Sequence, residues 1–151
     1  MGELAPGGVV GRAAGRPGDA RIVPGYPPYD HFTPTVPVLA AGDADARARI
    51  RLAEIVGSAA LLHRLLAALP AGPTSIALPS VSGEGLGVAE SARGDVWHWL
   101  RLDGGMIAAA FAADPGWRLF PLTEQALADG GIGDVDLILR SFDASASGVD
   151  L

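Results

Sequence analysis

Residues 42–73 read GDADARARIRLAEIVGSAALLHRLLAALPAGP and carry the strongest helical pattern in the chain. Asp43 or Asp45 suits the N-cap of a helix, because a carboxylate there accepts hydrogen bonds from the amides of the first turn. The sequence Pro-Ala-Gly-Pro at 70–73 is predicted to end the helix. Apolar residues recur at intervals of four and three and form one stripe, which comprises Ile55, Ala59, Leu62, Leu66 and Leu69. This spacing predicts a single long amphipathic helix.

Charged residues cluster in the first half of the predicted helix. The cluster consists of Arg47, Arg49, Arg51 and Glu54. A run of charges on a helix is typical of a face in contact with water. We therefore expect these four side chains to be solvated.

Residues 1–42 are interrupted throughout by proline and glycine, as in the segments PGG, RPGD, PGYPPYD and TPTVP. Proline fixes its own φ and disfavours helix in the residue before it, so we predict an extended, irregular arm. A structureless stretch of this length is unusual in a domain that stands alone. The pattern favours an arm that wraps over a neighbouring surface, with residues 43–151 forming the folded domain.

Short elements follow the helix. Residues 75–81 form an apolar run that predicts a strand, and the glycine-rich residues 83–94 are interpreted as a loop. Residues 95–114 alternate in polarity around a DGG turn, which predicts a β-hairpin. Short helices are predicted at 122–129 and 134–142. The predicted fold class is α+β, with one long amphipathic helix, a β-hairpin or small antiparallel sheet, and short C-terminal helices.

Composition and charge exclude several classes of function. Hydrophobic residues make up 49% of the chain and the mean hydropathy is +0.30, so we expect a packed domain with part of its surface against a partner. There is no cysteine, which removes disulfides and thiolate chemistry. Residues 65–151 carry 4 arginines against 11 acidic residues, which argues against nucleic-acid binding. Without a bilayer-spanning run or the apolar core of a secretory signal, an intracellular protein is expected.

The stretch GEGLGVAESARG at 83–94 invites a phosphate-binding interpretation that its context excludes. Glycine-rich phosphate loops open a helix, whereas this stretch precedes a hairpin, and the chain has no lysine. For its Glu90 and Arg93, the simplest interpretation is a surface salt bridge, which would contribute little to stability. The three histidines are too far apart for a metal-ligand pattern, and the serine-rich tail lacks a nucleophile elbow. The residues alone predict no self-contained catalytic site.

Several motifs in order resemble one family of proteins. They are GYPPYDHFTPTVPV at 25–38, the helix at 42–73, GEGLGVAESARGDVWHWLRLDGGMIAAAFAADPGW at 83–117, and ILRSFDASASG at 138–148. Together they resemble the C-terminal portion of the large subunit of group 4 nickel–iron hydrogenases, the formate hydrogenlyase type (hydrogenase III). They also resemble the homologous quinone-site subunit of respiratory complex I, which is the D subunit of NADH-quinone oxidoreductase. The resemblance runs from about Gly8 to the end of the chain.

Individual residues match the motifs of that family. The matching residues are Tyr29, Asp30, Gly42, Asp43, Arg47, Arg51, Glu54, Glu84, Glu90, Arg93, Gly94, Arg140 and Asp143. Ala92 stands where the family usually has proline. In hydrogenases the arginine that matches Arg93 leans over the metal centre. The resemblance therefore implies that Arg93, Glu90 and Asp143 line a functional cavity.

The chain also departs from the family. Where the family has its two C-terminal metal-binding cysteines, this chain has Ser145 and Gly148. The resemblance does not extend to the family's N-terminal part, with the other cysteine pair or the quinone-site histidine and tyrosine, which has no counterpart among these 151 residues. Nickel in this architecture needs thiolates, which serine and glycine do not supply. The resemblance implies that the chain alone binds no nickel or other cofactor and is no hydrogenase by itself.

The resemblance implies that the chain is a nickel-free component of a membrane-associated redox complex. It implies oxidoreductase activity for the chain only within that complex. The implied site lies at a subunit junction and serves electron, proton or quinone chemistry, with NAD(P)H, quinone or hydrogenase-type partners. The expected partners are an iron–sulfur small subunit, which would carry the iron–sulfur cluster, and other subunits of the assembly. A separate chain with the N-terminal half is an open alternative. The expected location is cytoplasmic, on the inner membrane through partner subunits.

Two alternatives remain open. The chain could be a non-catalytic scaffold or assembly subunit that keeps the large-subunit fold, or a truncated or decaying gene product. The scaffold predicts that Arg93→Ala and Asp143→Ala leave function intact, whereas charged substitutions on the arm abolish it.

Overall fold

The computed structural model describes residues 5–149. Its helices and strands, in chain order, are α1 Gly8–Ala13, α2 Ala44–Ala67, β1 Gly83–Ser91, β2 Gly94–Asp103, β3 Met106–Ala113, α3 Gly116–Asp129 and α4 Val135–Phe142. A π-helical turn at Arg21–Gly25 and short 3-10 turns at Ile132–Asp134 and Ala146–Gly148 complete them. The predicted α+β class, with one long helix, a small antiparallel sheet and short C-terminal helices, is confirmed.

The long helix α2 forms as its sequence predicts. The Asp43 carboxylate accepts a hydrogen bond from the Ala46 amide at 2.7 Å, so Asp43, rather than Asp45, is the N-cap. The helix ends at Ala67, just before Pro70. Its face toward the rest of the chain buries Ala46, Ile50 and Leu61.

The predicted apolar stripe of α2 is largely exposed. Ile55, Leu62 and Leu66 have exposed fractions of 65%, 58% and 69%. Helix periodicity places these residues on the side opposite Ala46 and Ile50. The helix therefore has two apolar faces, and within the described residues only one of them is covered.

The sheet is antiparallel, in the order β1-β2-β3. The β2–β3 hairpin is confirmed, and its turn uses Gly104 and Gly105 at φ 55° and 84°, a conformation that favours glycine. The prediction of a loop at 83–94 is wrong, since residues 83–91 form β1 and pair along their whole length with β2. The hydrogen bonds between β1 and β2 pair the backbone N–H and C=O groups of both strands. This pairing outweighs the low strand propensity of glycine.

The predicted strand at 75–81 is also wrong, because these residues are irregular. Ile76 and Leu78 within it are 80% and 87% exposed. A short apolar run does not become a strand without a neighbour to pair with. Farther along, the helix predicted at 122–129 begins earlier, at Gly116, and the helix predicted at 134–142 is observed as α4.

The short helix α1 occupies the centre of the fold. Val9 and Ala13 pack with Ala46 and Ile50 of α2, while Val10 packs with Leu119 and Phe142 of α3 and α4. The prediction of an extended, irregular chain is therefore wrong for residues 8–13. Six residues are too few to show helical periodicity or to be stable alone, so this helix depends on the packing around it.

Candidate functional site

A buried arginine joins three parts of the chain. The side chain of Arg12, on α1, is 1% exposed. One terminal nitrogen lies 2.9 Å from a carboxylate oxygen of Glu90 at the end of β1, and the other pairs with Glu54 on α2. Arg12 Nη1 also donates to the Gly18 carbonyl at 3.2 Å. These bonds tie α1, α2 and β1 together below the β1–β2 turn.

The second carboxylate oxygen of Glu90 accepts a hydrogen bond from the Ala20 amide at 2.9 Å. The Glu90 amide donates to the Tyr26 hydroxyl at 3.0 Å. Asp19, also buried, lies 3.6 Å from Arg12 and 2.6 Å from Arg21. The network contains three carboxylates and two guanidinium groups, and every carboxylate has an arginine partner, as a buried charge requires.

The surroundings of Asp19 shift its pKa. Burial by itself would raise the pKa of the Asp19 carboxyl. The hydrogen bonds from the Arg21 side chain and amide, together with the charges of Arg21 and Arg12, outweigh burial and hold this pKa below its ordinary value of 3.8. In return, the hydrogen bond to Asp19 is the largest cause that raises the pKa of Arg21.

We expect the protein to lose stability in acid through Asp19. A lowered folded-state pKa stabilises the fold above the unfolded-state value near 3.8, and this contribution is lost as the pH falls through the folded-state pKa. The melting temperature should fall more steeply between pH 6 and pH 3 for the natural protein than for Asp19→Asn. Parallel pH profiles for the two proteins would contradict the expectation. Asp129→Asn is the control, because Asp129 is exposed.

Arg93 and Asp143 meet at the surface. Arg93 Nε donates to the Asp143 carbonyl at 2.6 Å, and Arg93 Nη2 lies 3.1 Å from the Asp143 carboxylate. The two side chains are 40% and 51% exposed. Asp143 ends α4 in the left-handed conformation, with φ 55°. The structure therefore brings together two residues that are 50 positions apart.

The α1 helix holds the turn that carries Arg93. The Val9 amide donates to the Ala92 carbonyl at 3.0 Å. A Cβ on Gly8 would lie 2.4 Å from the backbone of Arg93 and Gly94. The first residues of α1 thus touch the turn so closely that only glycine fits at position 8.

Glu90 lies in the Arg12 network and not in the Arg93–Asp143 pair. The predicted surface salt bridge between Glu90 and Arg93 is wrong, because each residue pairs with a different partner. Glu90 lines a cavity of about 200 Å³ together with Asp19, Asp95 and Trp97. Arg93 and Asp143 do not line that cavity.

The prediction of a solvated charged face on α2 is correct for Arg49 and wrong for Arg47 and Glu54. Glu54 pairs with the buried Arg12. Arg49 pairs with Asp45 in the open, with both side chains 69% exposed. Arg47 is buried, donates to the Ser141 hydroxyl at 2.8 and 3.1 Å, and lies 4.3 Å from the centre of the Phe142 ring. Burial, followed by the charge of Arg51, lowers the pKa of Arg47.

Sequence reasoning missed Arg12, the hub of the buried network. A signal was present, since Arg12 follows VVG and precedes AAG, and a lone arginine among small apolar residues is a candidate for a buried pair. Its partners could not be identified, because they lie 42 and 78 positions away in the sequence.

Ser145 and Ser147 follow Asp143 within four positions of the sequence. The hydroxyls of Ser145 and Ser147 lie 2.8 Å apart. Within residues 5–149, no cluster of three or more histidine, aspartate or glutamate residues is arranged to hold a metal ion. Neutral hydroxyl groups are not among the usual ligands of nickel. Over the same residues, no helix combines the length and apolar character needed to cross a bilayer.

Comparisons with known proteins agree on one family. Residues 2–82 match the family described as "Respiratory-chain NADH dehydrogenase, 49 Kd subunit". The D subunit of the NADH-quinone oxidoreductase of Thermosipho melanesiensis is 30% identical over 160 residues, which cover 98% of this chain and 43% of that protein. The carbon monoxide-induced hydrogenase of Rhodospirillum rubrum is 27% identical over 147 residues, covering 93% of this chain and 40% of that one.

A solved structure extends the agreement to the fold. A chain of the membrane-bound sulfane sulfur reductase, an archaeal respiratory membrane complex, matches all of this chain with a TM-score of 0.88 and 26% identity. The match covers 44% of that chain, so this chain spans less than half the length of these relatives. The resemblance predicted from the motifs is confirmed. The chain belongs to the family of the 49 kDa subunit of the respiratory-chain NADH dehydrogenase.

Proposed function

We propose that this chain is a component of a membrane-associated redox complex, in which it forms part of a large subunit of the 49 kDa or hydrogenase type. The observation that carries the proposal is the Arg93–Asp143 pair. It is half exposed, anchored through the Ala92 carbonyl to α1, and close in sequence to Ser145 and Gly148 at the family's cysteine positions. We assign this pair to a junction with an iron–sulfur subunit.

The chemistry at this junction is electron, proton or quinone transfer without nickel. The absence of cysteine from the sequence and the presence of Ser145 two positions after Asp143 support a nickel-free site. Arg93 supplies a fixed positive charge that stabilises a developing anion, such as a reduced quinone oxygen. Asp143 holds the guanidinium in place through its carbonyl and carboxylate. Glu90 acts as a buried anchor of the same turn, through Arg12.

The partners in this proposal are an iron–sulfur small subunit, which holds the cluster, and the remaining part of the large subunit. The chain reaches the membrane only through such partners, on the cytoplasmic face of the inner membrane. The names of the relatives, which include a component of a respiratory membrane complex, support an assembly of this kind.

Turnover of the complex tests the proposed function. Arg93→Ala and Asp143→Ala should each lower quinone-reductase turnover of the purified native complex, measured with a short-chain quinone, by roughly 10²-fold for Arg93 and less for Asp143. Recovery of the iron–sulfur subunit is measured for each variant in parallel, because the proposed junction places the pair against that subunit, and turnover is compared per assembled complex. Arg118→Ala is the control, since Arg118 is itself half exposed and pairs at 3.3 Å with Asp95, whose side chain is 23% exposed.

If both variants assemble and turn over at the full rate, the Arg93–Asp143 pair does not take part in turnover. That result would favour the scaffold or assembly role. The serine and glycine at the cysteine positions are the observation that keeps this second function under consideration.

A further inference from the structure

The β1–β2 turn has two residues, Ala92 and Arg93, between Ser91 at the end of β1 and Gly94 at the start of β2. Arg93 supplies the guanidinium of the Arg93–Asp143 pair. The φ and ψ angles of a tight turn set the direction in which its side chains leave the backbone. The groups that fix this turn therefore decide where the guanidinium lies.

The hydroxyl of Ser91 links the two ends of this turn. Its oxygen accepts a hydrogen bond from the Arg93 amide at 3.2 Å, and the same hydroxyl donates to the Gly94 carbonyl at 2.7 Å. A serine hydroxyl can accept and donate at once. Within residues 5–149 the Arg93 amide has no other hydrogen-bond partner. A single side chain therefore fixes the peptide that carries the arginine.

Other contacts hold the residues on either side of Arg93. Glu90, before the turn, is anchored in the buried network, and the Ala92 carbonyl accepts a hydrogen bond from α1 at 3.0 Å. Gly94, after the turn, is buried. These contacts place the turn on the fold, but none of them involves the Arg93 amide. The orientation of that amide depends on the Ser91 hydroxyl.

The far end of the Arg93 side chain is held by Asp143. Arg93 Nε donates to the Asp143 carbonyl at 2.6 Å, and the two side chains are 40% and 51% exposed. Water competes for an ion pair as open as this one, so the pair alone holds its geometry weakly. A second fixed point in the backbone limits the positions that the guanidinium can take.

We propose that Ser91 is a positioning residue for Arg93, because its hydroxyl fixes the β1–β2 turn in the geometry that places the guanidinium against Asp143. The inference rests on the proposed function only for its consequence on turnover. The orientation of Arg93 is a property of this chain and can be measured without partner subunits.

Nitrogen-15 relaxation of the Arg93 Nε–H group, in the full chain of 151 residues, tests the orientation. Ser91→Ala removes the hydroxyl and should lower the order parameter of this group by about 0.2, on a scale where rigid backbone groups have about 0.85 and flexible ones less than about 0.6. Ser91→Thr keeps a hydroxyl and should retain the natural value. An unchanged order parameter in Ser91→Ala would overturn the proposal.

Ser82→Ala is the matched control. The Ser82 hydroxyl accepts a hydrogen bond from the Gly104 amide at 2.8 Å and donates to the Asp103 carboxylate at 3.3 Å. The control therefore removes two hydrogen bonds of the same kinds at the opposite end of β2, and Arg93 Nε–H should keep its order parameter. An equal fall in both variants would mean a general loosening of the sheet and would contradict a specific role for Ser91.

A second substitution stiffens the turn without the hydroxyl. Proline fixes its own φ at about −65° and favours an extended residue before it, which the last residue of β1 already is. Within residues 5–149 the φ of Ala92 is not positive, and its amide makes no hydrogen bond that proline would remove. Ala92→Pro added to Ser91→Ala should recover at least half of the lost order parameter. No recovery would show that stiffness of the turn does not control Arg93.

Turnover of the assembled complex tests the consequence. Ser91→Ala should lower the kcat of quinone reduction roughly tenfold with little change in KM, because a displaced charge stabilises the transition state less. Ser91→Thr should restore the rate. Equal losses in the alanine and threonine variants would show that the hydroxyl is not responsible, and would count against the positioning role.

Failure of this inference and failure of the proposed function give different results. A lower Arg93 order parameter in Ser91→Ala, together with full turnover in Arg93→Ala, would support the positioning role and reject the catalytic junction. Lower turnover in Arg93→Ala, together with an unchanged order parameter in Ser91→Ala, would do the reverse.

Discussion

Replacement of Arg12 with methionine should lower the free energy of unfolding by about 3–5 kcal/mol, the usual cost of breaking a buried ion pair by removing one partner. Methionine keeps much of the volume of the side chain but leaves Glu90 and Glu54 without their guanidinium partner. Both carboxylates are largely buried, with exposed side-chain fractions of 5% and 16%. Urea unfolding of the full chain, followed by circular dichroism, measures the loss.

A matched control distinguishes burial from charge. Arg49→Met removes an ion pair with Asp45 along α2, but both side chains of that pair are 69% exposed. An exposed pair contributes less than about 0.5 kcal/mol, so Arg49→Met should be almost neutral. Equal losses in the two variants would mean that the Arg12 network does not stabilise the fold through its buried charges.

We expect Gly8→Ala to destabilise the protein by about 2–5 kcal/mol, combining ~1–2 kcal/mol for the left-handed backbone with ~1–3 kcal/mol for overpacking. Gly8 has φ 57°, and its added Cβ would lie 2.4 Å from backbone atoms of Arg93 and Gly94. Backbone atoms cannot rotate away as a flexible side chain can. Relief of the contact therefore requires movement of the turn that carries Arg93.

Gly25→Ala is the control for this substitution. Gly25 also has a positive φ, 78°, but nothing lies within 4 Å of its added Cβ. The loss of stability in Gly25→Ala should therefore be limited to the backbone strain of about 1–2 kcal/mol. If thermal unfolding gives the same loss for both variants, the close approach of α1 to the β1–β2 turn contributes nothing to stability.

The candidate site was only partly predictable from the sequence. The motif match placed Arg93 and Asp143 in one site, and the structure shows them in contact. It also placed Glu90 there, whereas Glu90 pairs with Arg12. The side-chain direction of Glu90 depends on strand pairing and on a helix 78 positions earlier, and neither can be deduced from local spacing.

Residues 42–73 by themselves determined the long helix, because its N-cap, its apolar periodicity and its closing prolines act within a few residues of one another. The DGG turn determined the β2–β3 hairpin in the same way. The helix α1 in the core, the strand at 83–91 and the irregular backbone at 75–81 follow from tertiary contacts. Those outcomes depend on contacts between distant segments, which supply the hydrogen-bond partners and the buried apolar area that a short segment lacks.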